Sequence, residues 1–225
     1  MSNIVESLSK RAHVVHYKTN VEDIPTKSEI EEILRIGYPL ATSKQNAFPY
    51  QCHVLGPNLK RSENIYQMCE MNKIVFDIDS EKNYNANPYL FHVRTAPWIL
   101  IWAPRLAPPN QFNKESIEET GTMWEFDDED YIPKAEKSYA IEVGMIAKIL
   151  TGVILDKGYD TSYTSCFPHQ IKRWTKYPFI KHAPFLIQTI GKSKLYKWQN
   201  MKPENLKKDT CPPFEDIFTF RGDDE

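Results

Sequence analysis

The sequence lacks the short motifs that identify several large enzyme classes. It contains no GxGxxG, no GxxxxGK(S/T), no HExxH and no GxSxG. It therefore gives no support to a dinucleotide-binding fold, a phosphate loop, a zinc protease or an α/β-hydrolase elbow. Its four cysteines include no CxxC pair, and its six histidines show no spacing typical of metal ligands. These absences argue against a classical dehydrogenase, a disulfide framework and a metal site.

The sequence also lacks an excess of charge of either sign and a long uncharged apolar run. There are 28 Lys and Arg against 30 Asp and Glu, a formal net charge of -2, which gives no general attraction to nucleic acid or membranes. The most apolar segment, residues 139–157, is too short and too charged to span a bilayer. Residues 1–11 lack the apolar core of a secretory signal. We expect a cytoplasmic protein with reduced thiols and no nucleic-acid or membrane partner.

The segment that organises the chain is the apolar stretch at residues 139–157. Apolar side chains occupy nearly every face of a helix drawn through it, so the helix must be buried on most sides, by its own domain or by a second subunit. Gly158 is placed to end this helix in a left-handed conformation, with Tyr159 packing back on the last turn. The polar run at residues 160–165 is then expected to expose backbone donors suited to an anion or a polar heterocycle.

The remaining pattern predicts one domain of mixed helices and strands, since 225 residues with 41% hydrophobic content suffice for one core. Thr26 and Glu29 form a capping box that opens a helix ending near Gly37. Residues 98–103, WILIWA, are typical of a central strand. Further helices are predicted at 2–9, 62–72 and 171–177, and strands at 13–17, 51–56, 184–190 and, at an edge, 214–220; residues 77–88 are expected to be irregular and 104–138 to form a long surface excursion.

Two local features leave alternatives open. Cys166 and His169 are either a thiol nucleophile with its base or a structural cysteine with an unrelated neighbour. The basic and aromatic residues 171–182 either clamp a nucleic acid or form a solvated helix and turn, and the balanced net charge favours the second interpretation.

Three other segments carry groups that a phosphate-bearing planar cofactor needs. They are the basic pair Lys10 and Arg11, the polar loop at 42–46 and the polar run at 160–165. Arg can bind phosphate in a bidentate manner, and Ser and Asn can reach ring or sugar-like polar atoms. Each segment alone is as compatible with an ordinary surface.

The order and spacing of these segments resembles the FMN-dependent nitroreductase family. Residues 43–50, SKQNAFPY, are similar to the SxxNxQPW loop of that family, with Phe48 in place of Gln and Tyr50 in place of Trp. The apolar helix followed by GYDT at 158–161 resembles the GLDT signature segment. The resemblance extends over most of the chain, because Arg11, residues 96–101 and residues 184–192 also fall in the matching order.

The resemblance implies an α+β fold in an intertwined homodimer: a mostly antiparallel sheet flanked by helices, with the 139–157 helix at the interface and two FMN sites shared between subunits. Residues 1–225 would form a single FMN-binding domain, with 104–138 as a variable lid and 192–225 as an extension packing on the partner. The flavin itself would carry the hydride, so no catalytic side chain is expected. The implied FMN ligands are Arg11, Ala12, His13, Ser43, Asn46, Ser165, Cys166, Lys207 and Lys208, and the implied substrate-pocket residues are Phe48, Tyr50, Trp124 and Phe126.

The implied activity is transfer of hydride from NAD(P)H through FMN to a small electron-poor acceptor such as a nitroaromatic or a quinone. The sequence departs from the family pattern at Val15, where a second cation usually faces the flavin. Losing that cation would disfavour a reduced, anionic flavin. The alternatives are therefore a flavin-binding protein without turnover, or a relative that dehalogenates or dehydrogenates one specific substrate.

Overall fold

The centre of the fold is an antiparallel sheet of four strands with helices on both faces. The computed structural model describes residues 8, 14–43, 46–76, 91–105, 110–111, 114–115, 135–165, 167 and 171–196. Within them the strands are β1 (Val14–Tyr17), β2 (Tyr50–Leu55), β3 (Trp98–Pro104), β4 (Asp160–Thr164), β5 (Leu186–Gly191) and β6 (Ser193–Tyr196). The helices are α1 (Lys27–Gly37), α2 (Leu59–Phe76), α3 (Phe91–Thr95) and α4 (Ala135–Asp156), with 3-10 turns at Val21–Asp23, Tyr38–Leu40 and Ile171–Trp174. The sheet order is β2-β3-β5-β4, and β1 pairs separately with β6.

Strand β3 is buried along its whole length, as the apolar run predicted. Trp98, Leu100 and Trp102 pack in one core cluster with residues of α1 and α4. Ile99 and Ile101 pack in a second cluster with residues of α2 and of the segment at 171–180. Because successive side chains of a strand point to opposite faces of the sheet, the helices lie in two layers, one on each face.

Helix α1 begins as the sequence predicted. The Thr26 hydroxyl accepts a hydrogen bond from the backbone N–H of Glu29 at 3.3 Å, and the Glu29 carboxylate accepts one from the Thr26 N–H at 2.7 Å. The other end of α1 packs closely on α4, because a Cβ atom on Gly37 would lie 2.4 Å from Leu150 Cδ2. The phenol of Tyr159 also donates to Glu29 at 2.6 Å. The two helices on this face are thus joined by contacts at both ends of α1.

Helix α4 confirms the long apolar helix and its end. Gly158 has φ +79°, and the Tyr159 N–H donates to Ile154 O at 3.0 Å, which closes the last turn. Within one chain the five consecutive residues 150–154 are all buried, but the part of the helix before them has an exposed side, where Ile141 is 64% exposed and Met145 is 45% exposed. The described residues contain no helix with the length and apolarity that crossing a membrane requires.

The sequence did not predict that the polar run at 160–165 forms a strand. Residues 160–164 are strand β4, which pairs with β5 from Asp160↔Gly191 to Thr164↔Ile187 and lies at the edge of the sheet. The predicted helix at 171–177 is instead a 3-10 turn at Ile171–Trp174, with Trp174 buried and Lys172 and Arg173 exposed. The predicted strands 13–17, 51–56 and 184–190 correspond to β1, β2 and β5, and the helix at 62–72 to α2. The helix at 2–9 except Leu8, residues 77–88, most of 104–138, Cys166 and the strand at 214–220 lie outside the described residues.

Candidate functional site

One end of the sheet gathers several residues that the sequence marked. The register pairs Tyr50 with Pro104 at the start of β2 and the end of β3. It also pairs Trp102 with Leu186, and Thr164 with Ile187, at the start of β5 and the end of β4. The loop before β2, the residue after β3 and Ser165 after β4 therefore lie at the same end. Because β2 and β4 are the outer strands, the loop and Ser165 are separated by three strand spacings, about 14 Å.

The loop at residues 41–50 is folded back on itself by Ser43. The Ser43 hydroxyl accepts a hydrogen bond from the Phe48 N–H at 2.8 Å, and the Ser43 carbonyl accepts one from the Asn46 N–H at 3.1 Å. Asn46 has φ 52° and Phe48 has φ 45°. A left-handed conformation is tolerated by Asn but costs a bulky residue such as Phe, of order 1–3 kcal/mol, and such strain clusters at functional sites. The Ser43 hydroxyl still keeps its proton for donation to a ligand.

Arg105 holds this loop, and sequence reasoning missed it. Its guanidinium donates to Phe48 O from Nε at 3.1 Å and from one terminal nitrogen at 2.9 Å, and to Ala47 O at 3.1 Å. Its backbone N–H donates to Pro49 O at 3.0 Å. Arg105 follows the buried strand β3 directly. A cation immediately after a buried strand was the sequence signal that could have identified this residue. It brings positive charge to the loop without an ion pair to any carboxylate in the described part of the chain.

An aromatic row extends from the loop into the core. The ring centroids are 5.4 Å apart for Tyr38 and Phe48, 6.1 Å for Phe48 and Tyr50, and 5.9 Å for Tyr50 and Trp102. Burial raises the pKa of Tyr50 to about 12, with nearby Glu142 and Tyr38 adding to the effect and Arg105 opposing it. The Tyr50 hydroxyl and the Trp102 Nε1 are buried, and neither has a hydrogen-bond partner among the described residues. A buried donor without a hydrogen-bond partner costs free energy of folding. These two donors would suit a bound group that offers acceptor atoms.

At the other edge, Ser165 is exposed just after β4. Its carbonyl accepts a hydrogen bond from the Phe167 N–H at 3.0 Å, so the chain turns immediately beyond the sheet. Between this edge and α4 lies a polar layer in which the hydroxyls of Thr151 and Tyr163 contact each other and both lie 2.9 Å from Ala147 O. Since each hydroxyl has one proton, one of them donates to Ala147 O and the other donates to the neighbouring hydroxyl. Val15, the residue at which the sequence departs from the family pattern, lies in β1 with 9% of its surface exposed.

The structure therefore describes five of the sequence-predicted site residues. Ser43, Asn46, Phe48 and Tyr50 come together in one loop, and Ser165 lies at the same end of the sheet but at its opposite edge. The others, Arg11, Ala12, His13, Trp124, Phe126, Cys166, Lys207 and Lys208, lie outside the described residues.

Solved structures with the same arrangement of strands and helices decide the fold. A protein assigned as a nitroreductase from Exiguobacterium sibiricum, in complex with FMN, superposes with a TM-score of 0.65 at 17% identity over 98% of each chain. The chain has the nitroreductase fold. A protein assigned as an NAD(P)H:FMN oxidoreductase from Staphylococcus epidermidis gives a TM-score of 0.63 at 15% identity, covering 98% of this chain and 97% of the other. A nitroreductase family protein from Streptococcus pneumoniae gives 0.61 at 16% identity, covering 97% of this chain and 100% of the other.

Neither a protein-family model nor a curated protein matches the sequence. The nitroreductase fold is thus preserved at an identity too low for sequence comparison, and the site must be argued from this chain. Its described residues fit a planar, acceptor-rich heterocycle such as the flavin of FMN. The fit rests on the unused donors of Tyr50 and Trp102 and on the strained loop that ends at Tyr50.

Proposed function

We propose that this protein is an FMN-dependent oxidoreductase that transfers hydride from NAD(P)H to a small electron-poor acceptor such as a nitroaromatic or a quinone. The observation that carries the proposal is the loop at 41–50. It combines two left-handed residues, Asn46 and Phe48, with an anchoring Ser43 and with Arg105, which forms no ion pair to a described carboxylate, at one end of a nitroreductase-type sheet. FMN, when bound, supplies the hydride-accepting and hydride-donating centre, so the protein needs only to bind and orient.

The proposed roles of the loop residues come from the family resemblance, and the raised pKa of Tyr50 adds to them. The Ser43 hydroxyl and the Asn46 side chain would hydrogen-bond the flavin of the partner subunit. Phe48 and Tyr50 would line the acceptor pocket, with the Tyr50 hydroxyl protonated at all physiological pH values because its pKa is raised to about 12. A protonated phenol donates a hydrogen bond without adding charge, which suits a neutral acceptor.

The other roles come from the family resemblance alone. Arg11, with Ala12 and His13 beside it, would bind the phosphate of FMN, together with Lys207 or Lys208. Ser165 and Cys166 would direct a backbone N–H at the reactive nitrogen of the ring. Trp124 and Phe126 in the 104–138 lid would complete the acceptor pocket.

The proposed assembly is a homodimer joined through α4. Ile141 and Met145 lie one helical turn apart on α4 and are exposed in the single chain. Tyr38 and Leu40, in the 3-10 turn that packs against α4, are also more than half exposed. An apolar patch of this kind on a single chain is typical of a protein–protein interface.

The visible spectrum of the purified protein tests the flavin, and reduction tests the reaction. We expect a yellow protein that loses its colour when NADH or NADPH is added without air and regains it when a nitroaromatic or quinone is supplied. A protein that stays colourless after incubation with FMN and removal of free flavin would refute the proposal.

The variant Arg11→Ala should purify with much less flavin, while Arg35→Ala, a change of an exposed Arg on α1, should not.

A second function is favoured by Val15. This residue is buried in β1, so an apolar side chain stands where the family resemblance expects a cation near the flavin. A flavin-binding protein without turnover is consistent with that substitution. Colour that persists after anaerobic addition of both NADH and NADPH would favour this function over a reductase.

A further inference from the structure

A cavity outside the proposed flavin site is open to solvent and has three cationic and two amide side chains among its six lining residues. Its volume is about 250 Å³, and its lining residues are Asn58, Lys60, Arg61, Asn64, Lys176 and Tyr177. The first four lie just before or within α2, and the last two lie beyond the 3-10 turn at Ile171–Trp174. Two separate segments therefore bring three positive charges around one space.

The described part of the chain leaves the positive charge of this cavity without an ion-pair partner. Lys60, Arg61 and Lys176 form no ion pair with the carboxylates that the structure describes. Glu63 lies in the same stretch of α2, but its carboxylate is engaged by Arg94 and by Gln67 Nε2 at 2.7 Å. Three like charges around one space raise the local potential, and an anion entering it gains from all three.

The remaining lining groups add hydrogen-bond donors and shape. Asn58 accepts from the Arg61 N–H at 3.0 Å through Oδ1, so its amide nitrogen remains a donor. Arg61 is half-buried, Tyr177 is 7% exposed, and Arg61 is close enough to oppose the burial that raises the pKa of that phenol. The planar guanidinium of an Arg beside ammonium groups is a donor set that binds phosphate.

This cavity is separate from the loop at 41–50. That loop precedes β2 and packs with the aromatic row on the α4 face of the sheet. Asn58 follows the far end of β2, about 20 Å along the strand, and Tyr177 belongs to the core cluster on the opposite face. The cavity is also smaller than the roughly 300–1,000 Å³ of sites that enclose a drug-sized ligand.

We propose that this cavity, framed by Lys60, Arg61 and Lys176, binds a single phosphate group, either free phosphate or the phosphate end of a phosphomonoester. The protein then carries a phosphate site in addition to the one that would bind FMN.

Titration with inorganic phosphate tests the proposal. Calorimetry on the full chain saturated with FMN, with chloride replacing phosphate at equal ionic strength in the control, should give one phosphate site. Glycerol phosphate in a parallel titration separates the two sources, because tighter binding of the ester indicates a phosphomonoester and tighter binding of inorganic phosphate indicates the free ion.

Arg61→Gln should weaken the binding of either ligand by about tenfold or more, as expected for a lost charge-assisted hydrogen bond. Lys176→Gln, at an exposed position where folding is not at stake, should also weaken binding.

The matched control is Arg173→Gln, which removes the same charge from an exposed residue of the neighbouring 3-10 turn outside the cavity. We expect it to bind phosphate like the parent. The FMN-free chain is titrated in parallel. No heat of phosphate binding in either form, equal weakening by Arg173→Gln, or phosphate binding by the FMN-free chain that is absent in the FMN-saturated chain would each overturn the proposal. The last result would place the ion in the flavin phosphate site instead.

Discussion

A single guanidinium holds the loop in which four of the proposed site residues lie. Arg105 donates three side-chain hydrogen bonds to two consecutive carbonyls, those of Ala47 and Phe48. These carbonyls belong to the part of the loop where Asn46 and Phe48 adopt left-handed conformations. Since a bulky residue does not adopt that conformation without support, we infer that Arg105 at the Phe48 carbonyl and Ser43 at the Phe48 N–H together keep Phe48 in place.

The variant Arg105→Lys is expected to release the loop. A lysine ammonium keeps the charge but cannot present the planar fork that bonds both carbonyls. We expect the free energy of unfolding to fall by about 1–3 kcal/mol and flavin retention to fall with it. Urea unfolding and the ratio of bound FMN to protein measure the two effects. Arg35→Lys is the control, since Arg35 is exposed on α1, and a flavin content equal to that of the parent in Arg105→Lys would contradict the assigned role.

Glu29 makes stability depend on pH in the acid range. Its pKa is lowered to about 2, chiefly by the hydrogen bond from the Tyr159 phenol and then by those from Thr26. A carboxylate whose folded pKa lies below its unfolded value stabilises the protein above the unfolded pKa, and this contribution is lost as pH falls toward the folded pKa. The affected window therefore lies between about pH 4.5 and about pH 2.

Replacing this carboxylate should flatten that part of the pH profile. We expect Glu29→Gln to be less stable than the parent at about pH 6 and to approach the parent as the pH is lowered through this window. Thermal unfolding across the range measures the difference. Glu31→Gln, an exposed neighbour on the same helix, should run parallel to the parent. Parallel profiles for Glu29→Gln would show that its hydrogen bonds contribute nothing to the pH dependence.

At the scale of elements, short-range sequence signals were enough to predict some of the helices and strands. The capping box of α1, the apolar strand β3 and the glycine after α4 are each decided by residues within one or two turns, and each was predicted from sequence. The strand at 160–164 was missed because its polar sequence resembles a loop. Only its pairing with β5, nearly thirty positions further along the chain, makes it a strand. Arg105 was missed for the same reason, since its partners lie more than fifty residues earlier.

Gly158 tests how much the end of α4 depends on backbone conformation. With φ +79°, a Cβ atom there is strained although no heavy atom lies within 4 Å of it. We expect Gly158→Ala to lower the free energy of unfolding by about 1–2 kcal/mol. Gly158→Asn should cost less, because Asn tolerates the left-handed region. Equal losses in urea unfolding of the two variants would indicate that crowding, rather than conformation, sets the cost.

At the scale of the whole molecule, part of the apolar surface of α4 is left exposed within one chain. The sequence predicted burial on most sides, but within one chain Val143, Ile146, Leu150 and Ile154 are buried while Ile141 and Met145 face outward. Sequence periodicity cannot tell a second subunit from the same domain, because both cover a helix with similar side chains. The assembly therefore remains a prediction that must be tested in solution.

Charge placed on this surface should separate the subunits. Met145→Asp would bury a carboxylate in an apolar interface, and desolvation of that charge opposes association. We expect the parent to be a dimer and Met145→Asp a monomer by size exclusion with light scattering, with flavin lost in the same variant because Ser43 and Asn46 would then no longer reach the partner's cofactor. Val21→Asp makes the same kind of change at an apolar residue that is 86% exposed and distant from α4 in sequence, and it should stay dimeric. A parent that elutes as a monomer with bound FMN would place the whole site within one chain, and the shared-site arrangement would then be wrong.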